Sequence, residues 1–189
     1  RLSDPMYLGV ILKSFKIAII STLICIFVGY PVAYILARSK SKMKLVIVIL
    51  MLLPMWMNFL LRTYSWLSIL ENTGLVNTLL AAVGLPKIRF LYNEGAVILG
   101  TVYNYLPFMI MPIYITLLKL DESHLEAAAD LGANPVQAFL RVTLPFSVPG
   151  ILSGVSMVFV PSVTTFVISQ LMGGGKVPLI GDVIEQQYR

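Results

Sequence analysis

The chain has 189 residues, of which 58% are hydrophobic and only 12% are charged. Ordinary soluble domains carry about 25% charged residues, so the composition argues against a water-soluble protein and indicates a membrane protein. The formal net charge of +5 is modest for a nucleic-acid footprint and fits loop lysines that face anionic lipid. The single cysteine, Cys25, permits no disulfide within the chain and no cysteine cluster for a metal.

Four apolar stretches are each long enough to cross about 30 Å of hydrocarbon as a helix. They cover residues 15–36, 45–70, 96–118 and 150–172. The buried core of a soluble protein is the rejected alternative, because four such runs leave no polar face for water. The sequence therefore predicts an all-α, polytopic transmembrane helix bundle that forms one domain over residues 1–189.

Lysine and arginine counts in short loops set the predicted orientation. The loop after the first span, "ARSKSKMK", carries four basic residues within seven positions, so we place it in the cytoplasm. The 71–94 loop then lies outside, and the polar loop 121–145 returns to the cytoplasm. Lys13 and Lys16 count against this orientation, because they flank the first span on its outer side.

Proline occurs inside every predicted span, where it bends a helix by removing a backbone hydrogen bond. Ordinary kinks and bent helices that line a cavity both stay open as explanations. In the fourth span, Gly150 and Gly154 form a small-xxx-small pair, which we interpret as a helix packing contact. Arg62 lies toward one end of the second span and is expected to extend to the membrane interface.

The stretch "EAAADLGANPVQAFLRVTLP" runs from Glu126 to Pro145 and is the most polar, alanine-rich part of the chain. Just before it, Ser123 has the spacing of an N-cap whose capping box is completed by Glu126. Gly132 suits the left-handed backbone conformation that ends a helix. These signals predict a short helix of about two turns followed by a glycine turn.

A second short helix is predicted directly after that turn. Asn134 is a good N-cap, Pro135 is a good first helical residue, and Pro145 is expected to stop the helix. The loop 121–145 is thus predicted to be a cytoplasmic two-helix hairpin. The small side chains of 127–129 let a partner come close to the backbone, which suggests docking of a helix into a groove.

Two other functional classes fit this hairpin or its neighbours poorly. A DNA-binding helix-turn-helix should be basic, but four acidic residues oppose two basic ones between positions 119 and 141. A membrane enzyme would need a catalytic or metal cluster, yet the only histidine, His124, lies in the hairpin. The glycines 173–175 lack the lysine followed by serine or threonine of a phosphate-binding loop. We assign no catalytic and no metal-binding residue.

The hairpin resembles the EAA loop of ABC-transporter permeases, the membrane subunits of binding-protein-dependent importers. That pattern is EAA, three residues, Gly, nine residues, Ile, one residue and Leu-Pro, and the spacing here agrees with Val142 in place of Ile. In that family the loop docks into a groove on an ATPase subunit and passes its ATP-driven closure to the membrane helices. The resemblance assigns this role to Glu126, Ala127, Ala128, Gly132, Leu144 and Pro145.

Four further segments are similar to the first of the two permease subunits of spermidine/putrescine importers. They read "GYPVAYILARSK", "LPMWMNFLLRTYSWL", "YNYLPFMIMPIY" and "LMGGGKVPLIGDVI". The resemblance implies polyamine import across the cytoplasmic membrane of a prokaryote by a multi-pass subunit that is not itself an enzyme. Such permeases usually have six spans, so the first and last are expected to be missing from this chain.

The same resemblance implies the partners. They are a second permease subunit, two ATPase subunits, an extracytoplasmic solute-binding protein and the surrounding lipid, with no nucleic acid. The chain itself is expected to bind no cofactor, because ATP and Mg²⁺ belong to the ATPase. Two alternatives stay open: an importer permease for another small solute, and a channel-like or structural membrane protein without ATPase coupling.

A path for a polycation is predicted from uncharged groups, because none of the four spans carries an acidic residue in its middle. Aromatic rings and amide oxygens offer weaker contacts that do not trap the cargo. An interfacial belt is the competing explanation for the aromatic residues. The candidate path residues are Asn58, Tyr64, Trp66, Tyr103, Asn104, Tyr105, Thr164 and Thr165.

Overall fold

The computed structural model describes residues 5–40 and 42–188, and the regular structure in those ranges is entirely helical. The prediction of an all-α fold is confirmed for them, while residues 1–4, 41 and 189 of the predicted domain lie outside the described part. The helices are α1 (Pro5–Arg38), α2 (Lys44–Trp56), α3 (Phe59–Leu70), α4 (Leu75–Ala82), α5 (Glu94–Leu118), α6 (Glu122–Asp130), α7 (Pro135–Ala138), α8 (Leu144–Thr164), α9 (Val167–Gly173) and α10 (Ile180–Tyr188).

Three continuous helical segments are long and apolar enough to cross a membrane. They are Leu8–Arg38, Glu94–Leu118 and Pro135–Thr164. The first two contain the apolar stretches predicted at 15–36 and 96–118. The third joins α7 to α8 through a π-helical turn at Phe139–Thr143.

The second predicted span, 45–70, is bent rather than continuous in the structure. Helix α2 ends at Trp56, and the chain then bends by 97° before α3 and α4 continue. At this bend the Asn58 side-chain Oδ1 accepts the Leu60 N–H at 2.8 Å and caps α3. An asparagine that bonds to its own local backbone competes with a continuous helix.

The long helix at the fourth predicted span, 150–172, starts and ends earlier in the chain than that range. Helix α8 ends at Thr164, and a break at residues 165 and 166 separates it from α9. At the other end the helix continues through Pro145, where we predicted a stop. The π-helical turn explains this continuation, because the Leu144 N–H bonds to the Phe139 carbonyl five residues back. The wider turn takes the local hydrogen bonding out of the i→i−4 pattern that a proline ring disrupts.

The sequence predicts one domain, whereas the structure groups the chain into two compact units. Unit 1 is made of Arg1–Leu23, Leu53–Asn104 and Phe159–Arg189. Unit 2 is made of Ile24–Leu52 and Tyr105–Val158. Helices α1, α2, α5 and α8 each contribute residues to both units.

Within unit 1, polar contacts hold the start of α5 and the start of α10 against α1. Glu94 forms two ion pairs, one between its Oε1 and the Lys13 Nζ at 3.3 Å and one between its Oε2 and the Lys16 Nζ at 3.0 Å. The Ser14 hydroxyl accepts the Ile180 N–H at 2.9 Å. The two lysines that complicate the charge-based orientation are therefore partners of an acidic residue.

Within unit 2, α8 packs closely on α5 through its two glycines. A Cβ at Gly150 would lie 2.8 Å from the Pro112 carbonyl oxygen, and one at Gly154 would lie 3.1 Å from the Met109 carbonyl oxygen. The interpretation of this pair as a helix packing contact is confirmed. Replacement by any larger residue requires the two backbones to separate.

We predict that Gly150→Ala destabilises the protein. The added methyl group would overlap backbone, which costs about 1–3 kcal/mol, and about 1 kcal/mol lowers the melting temperature of a chain of this size by roughly 2–4 °C. The matched control is Gly9→Ala in α1, where a Cβ meets nothing within 4 Å. Thermal unfolding in detergent measures both variants, and equal melting temperatures would contradict the packing argument.

Candidate functional site

The first helix of the hairpin begins two residues earlier than predicted. Asp121, not Ser123, is the N-cap of α6, and its side chain accepts the Ser123 N–H at 3.1 Å. Ser123 lies inside the helix, so the predicted capping box with Glu126 is wrong. Aspartate caps at least as well as serine, and its negative charge also interacts favourably with the helix N-terminus. Glu126 is exposed and lies in the second turn of α6.

The turn after α6 forms as predicted. Gly132 has φ +81°, in the left-handed region. Its N–H bonds to the Ala129 carbonyl at 2.8 Å, and the Ala133 N–H bonds to the Ala128 carbonyl at 3.0 Å. This pair of bonds is the Schellman arrangement, which satisfies carbonyls left free at the helix end. The left-handed glycine is confirmed.

The start of the second helix is also confirmed, with one addition. The Asn134 side chain accepts the Gln137 N–H at 2.9 Å, and the Gln137 side chain accepts the Asn134 N–H at 3.0 Å. Pro135 is the first residue of α7. The spacing of asparagine and glutamine was a readable capping-box signal that our sequence analysis did not use.

The hairpin presents apolar side chains to solvent around its turn. Leu131 is 88% exposed, Val136 is 65% exposed and Leu140 is 53% exposed. A cavity of about 270 Å³ opens beside them, lined among others by Ala128, Gly132 and Arg141. Exposed apolar residues clustered on a polar loop are typical of a surface that a partner covers.

The remaining residues predicted for the coupling role lie along the same hairpin and its exit. Ala127 is exposed and Ala128 is half-buried on α6. Leu144 is half-buried and Pro145 is exposed at the start of α8. The structure thus places the predicted residues on α6, on the glycine turn and at the first turn of α8.

The predicted path residues are only partly brought together. In unit 1 the rings of Trp66 and Tyr103 meet at 5.0 Å between centroids, with 67° between their planes. Asn104 is buried, and its Nδ2 donates to the Gly100 carbonyl at 2.9 Å. Its Oδ1 is buried and lacks a hydrogen-bond partner among the described residues.

The other path candidates differ in their exposure and in their local contacts. Asn58 is exposed and used as a helix cap, and Tyr64 is 53% exposed. Thr164 is exposed at the end of α8, whereas Thr165 is buried at the break that follows. Tyr105 belongs to unit 2.

The model of one protein family matches residues 29–187, which is most of the chain. Its description is the inner membrane component of binding-protein-dependent transport systems. The chain belongs to this family. Membership of this family agrees with the apolar spans and with the spacing of the EAA motif. The chain is therefore a multi-pass protein of the cytoplasmic membrane.

Relatives of known name cover the whole chain. The spermidine/putrescine transport system permease protein PotB of Escherichia coli (strain K12) is 43% identical over 190 residues, covering 100% of this chain and 69% of the relative. The protein of the same name from Haemophilus influenzae is 42% identical, covering 100% and 66%. A solved structure of a bacterial ABC transporter involved in the import of the acidic polysaccharide alginate aligns with TM-score 0.80 at 18% identity, covering 99% of this chain and 69% of that one. At that identity the structure supports the fold.

Two buried charged residues of this transport component were misjudged or missed from the sequence. Arg62, which we expected to extend outward, is only 7% exposed, and its Nε and Nη1 lack hydrogen-bond partners among the described residues. Its guanidinium carbon lies 6.0 Å from the ring centroid of Phe59. Burial here comes from packing within unit 1, which hydropathy along the chain does not report.

Asp182, in the first turn of α10, is the second such residue. It is 5% exposed, and its Oδ2 accepts the Ser169 hydroxyl at 2.6 Å and the Leu179 N–H at 2.7 Å. It also lines a cavity of about 270 Å³ together with Gln170. The Leu179 contact is a helix-start signal that could have been read locally, but burial against Ser169 on α9 could not.

We predict that Asp182→Asn changes the pH dependence of stability. Burial raises the pKa of Asp182 above its ordinary value of 3.8, although the Ser169 hydrogen bond partly opposes this. A carboxyl with a raised folded-state pKa stabilises the fold below its unfolded-state pKa and loses that contribution as pH rises through the folded-state pKa. The melting temperature of the wild type should therefore fall relative to the variant as pH increases above about 4.

Thermal unfolding of both proteins in detergent, over a series of pH values, measures this difference. The asparagine oxygen still accepts the Leu179 N–H, so the helix start is retained while the titration is removed. If the melting temperatures of the two proteins differ by the same amount at every pH, the titration of Asp182 does not contribute to stability.

Proposed function

We propose that the chain is the membrane-spanning permease subunit of an ATP-driven importer that moves spermidine and putrescine into the cell. The observation that carries the proposal is the hairpin, in which a left-handed glycine joins two capped helices beside exposed apolar side chains. The cargo is supported by 43% identity to a protein named for spermidine/putrescine transport.

The hairpin geometry supports docking on an ATPase subunit. Both of its helices are capped by their own side chains, so little ordering remains to be done when a partner binds. Leu131, Val136 and Leu140 provide apolar anchors. At Gly132 a Cβ would meet nothing within 4 Å, so the turn offers open space for close approach of a partner.

Energy for transport is assigned to other subunits. The glycines 173–175 are followed by Lys176 and Val177, which is not the sequence of a phosphate-binding loop. We propose that ATP and Mg²⁺ bind to the ATPase subunits and that this chain has no enzymatic role. A second permease subunit and an extracytoplasmic binding protein complete the proposed complex.

The Trp66–Tyr103 pair is the proposed contact for the polyamine in unit 1. An ammonium group over an aromatic ring gains about 0.5–2 kcal/mol, enough to guide a cation without trapping it. The outer carboxylate of Glu94 is already paired with two lysines, so it is a weaker candidate for cargo binding. The unpartnered Oδ1 of Asn104 is a further acceptor in the same unit.

We predict that Gly132→Asp uncouples the ATPase from the permease. A side chain at positive φ strains the turn by about 1–2 kcal/mol, and the new carboxylate adds charge to the docking surface. The variant should still insert into membranes, but loaded binding protein should no longer stimulate ATP hydrolysis by the reconstituted complex.

The matched control is Gly84→Asp. Gly84 has φ +80°, and a Cβ there also meets nothing within 4 Å, so backbone strain is the same at a site away from the hairpin. Stimulation should survive in this control. If Gly132→Asp also retained full stimulation, the hairpin would not be the coupling element.

We predict that Trp66→Ala weakens polyamine uptake. The change removes the ring that meets Tyr103, and loss of about 1 kcal/mol of cation contact corresponds to a roughly fivefold weaker interaction. Uptake of labelled spermidine and putrescine, with a neutral solute as control, is measured in cells that lack their own importer. Trp56→Ala, which alters a tryptophan that is 89% exposed, is the matched variant.

Transport of both polyamines but not of the neutral solute by the wild type supports the assigned cargo. Equal uptake by Trp66→Ala and Trp56→Ala would remove Trp66 from the path. Absence of polyamine uptake by the complete wild-type complex would overturn the cargo assignment itself.

A further inference from the structure

An aromatic cluster in unit 2 connects the hairpin to helix α1. Phe139, the first residue of the π-helical turn, has its ring 5.9 Å from that of Tyr30 and 5.5 Å from that of Tyr34. The ring planes cross at 85° and 87°, so both contacts are edge-to-face. This is a favourable geometry for aromatic pairs. One side chain at the base of the hairpin thus contacts two successive turns of α1.

The far side of the π-helical turn is fixed to the same helix. The Tyr30 hydroxyl lies 3.0 Å from the Ser147 Oγ, and both residues are buried. The Ser147 hydroxyl donates to the Leu144 carbonyl at 2.8 Å, which leaves Tyr30 as the donor to Ser147. Tyr30 therefore contacts the first residue of the turn, Phe139, and a residue after the turn, Ser147.

Elsewhere the hairpin is more loosely attached to α1. A cavity of about 330 Å³ is lined by Tyr34 on α1, by Leu125 and Ala129 on α6, and by Phe139. Lys40 and Glu122 form an ion pair at 3.7 Å, but their side chains are 86% and 62% exposed. Exposed pairs of this kind contribute little. The aromatic contacts, in which Tyr30 is buried and Tyr34 and Phe139 are half-buried, are the stronger link between the hairpin and α1.

We propose that Phe139 is a positioning residue that transmits movement of the hairpin to α1 through Tyr30 and Tyr34. The inference rests on the proposed function, in which an ATPase displaces the hairpin. The cavity beside α6 gives that helix space, and the π-helical turn, a feature frequent at functional sites, joins the hairpin to α8 in one continuous helical segment. The Phe139 ring carries the displacement because it is packed between two rings of α1.

A purely structural role for Phe139 makes a different prediction. Loss of packing alone would lower stability, and with it the amount of folded complex and the binding of the ATPase. Transmission instead affects the cargo moved for each ATP hydrolysed, in complexes that are folded and assembled. The ratio of transport to hydrolysis separates the two roles.

The test uses the complete complex reconstituted in vesicles, with Phe139→Leu as the main variant. Leucine keeps an apolar side chain and removes the ring. We expect ATPase binding to be retained and cargo moved per ATP to fall by roughly 2- to 30-fold, the range of measured changes in coupling between sites. Tyr34→Phe, which retains the ring, and Phe146→Leu, which alters a partly exposed ring on α8, should both behave like the wild type.

A second measurement restores the link chemically. Phe139→Cys and Tyr34→Cys are combined with Cys25→Ser, and the two new thiols are joined by a short bifunctional reagent. The joined protein should move more cargo per ATP than the same protein left unjoined, because the tether replaces the aromatic contact. The cross-linking experiment tests the role of Phe139 even if the Phe139→Leu complex assembles poorly.

Unchanged transport per ATP in Phe139→Leu, or no gain on joining the two cysteines, would overturn the role of Phe139 and leave the proposed function standing. Parallel loss of ATPase binding and transport in Phe139→Leu, without recovery on joining, would also overturn it in favour of plain packing. A wild-type complex in which loaded binding protein never stimulates hydrolysis overturns the proposed function, and the inference falls with it.

Discussion

The structure depends on one constraint: the backbone N–H and C=O groups at helix ends must find hydrogen-bond partners within the protein. Hydrocarbon contains no water that could bond to them instead. Only 12% of the residues are charged, and several of the few polar side chains cap helix ends. Asn58 caps α3, Asp121 caps α6, and Asn134 with Gln137 caps α7. The starts of α3, α6 and α7 therefore each coincide with a side chain that replaces a missing helical hydrogen bond, whereas α4 and α9 start at Gly74 and Phe166 without a side-chain cap.

The hairpin follows from the same constraint. A chain that must leave the membrane, turn and return has to close two helix ends within a few residues. Gly132 closes the first through a left-handed turn, and Asn134 opens the second. Because these bonds are made inside the hairpin, Leu131 and Val136 are not needed to hold it together and stay exposed. Because the hairpin is held together by its own hydrogen bonds, its apolar side chains remain available for docking of a partner.

Sequence rules succeeded where a single local signal decides the structure and failed where signals compete. The left-handed Gly132 and the Asn134 cap were predictable because few residues fit those positions. Asn58 was overlooked as a cap because averaged hydropathy treats one amide inside an apolar run as noise. Ser123 and Asp121 both qualify as caps, and only the structure separates them. The burial of Arg62 and Asp182, and the meeting of Trp66 with Tyr103, depend on residues distant in sequence.

The π-helical turn shows why the hairpin and the membrane helix form one continuous element. A proline at position 145 would ordinarily end the helix, which would leave the hairpin on a flexible joint. The bond from the Leu144 N–H to the Phe139 carbonyl takes the helix past it. The same turn directs the Phe139 ring toward Tyr30 and Tyr34. The π-helical turn that accommodates Pro145 thus also contains Phe139, the residue that contacts α1. A displacement of the hairpin would therefore act on α8 through the continuous helix and on α1 through the aromatic cluster.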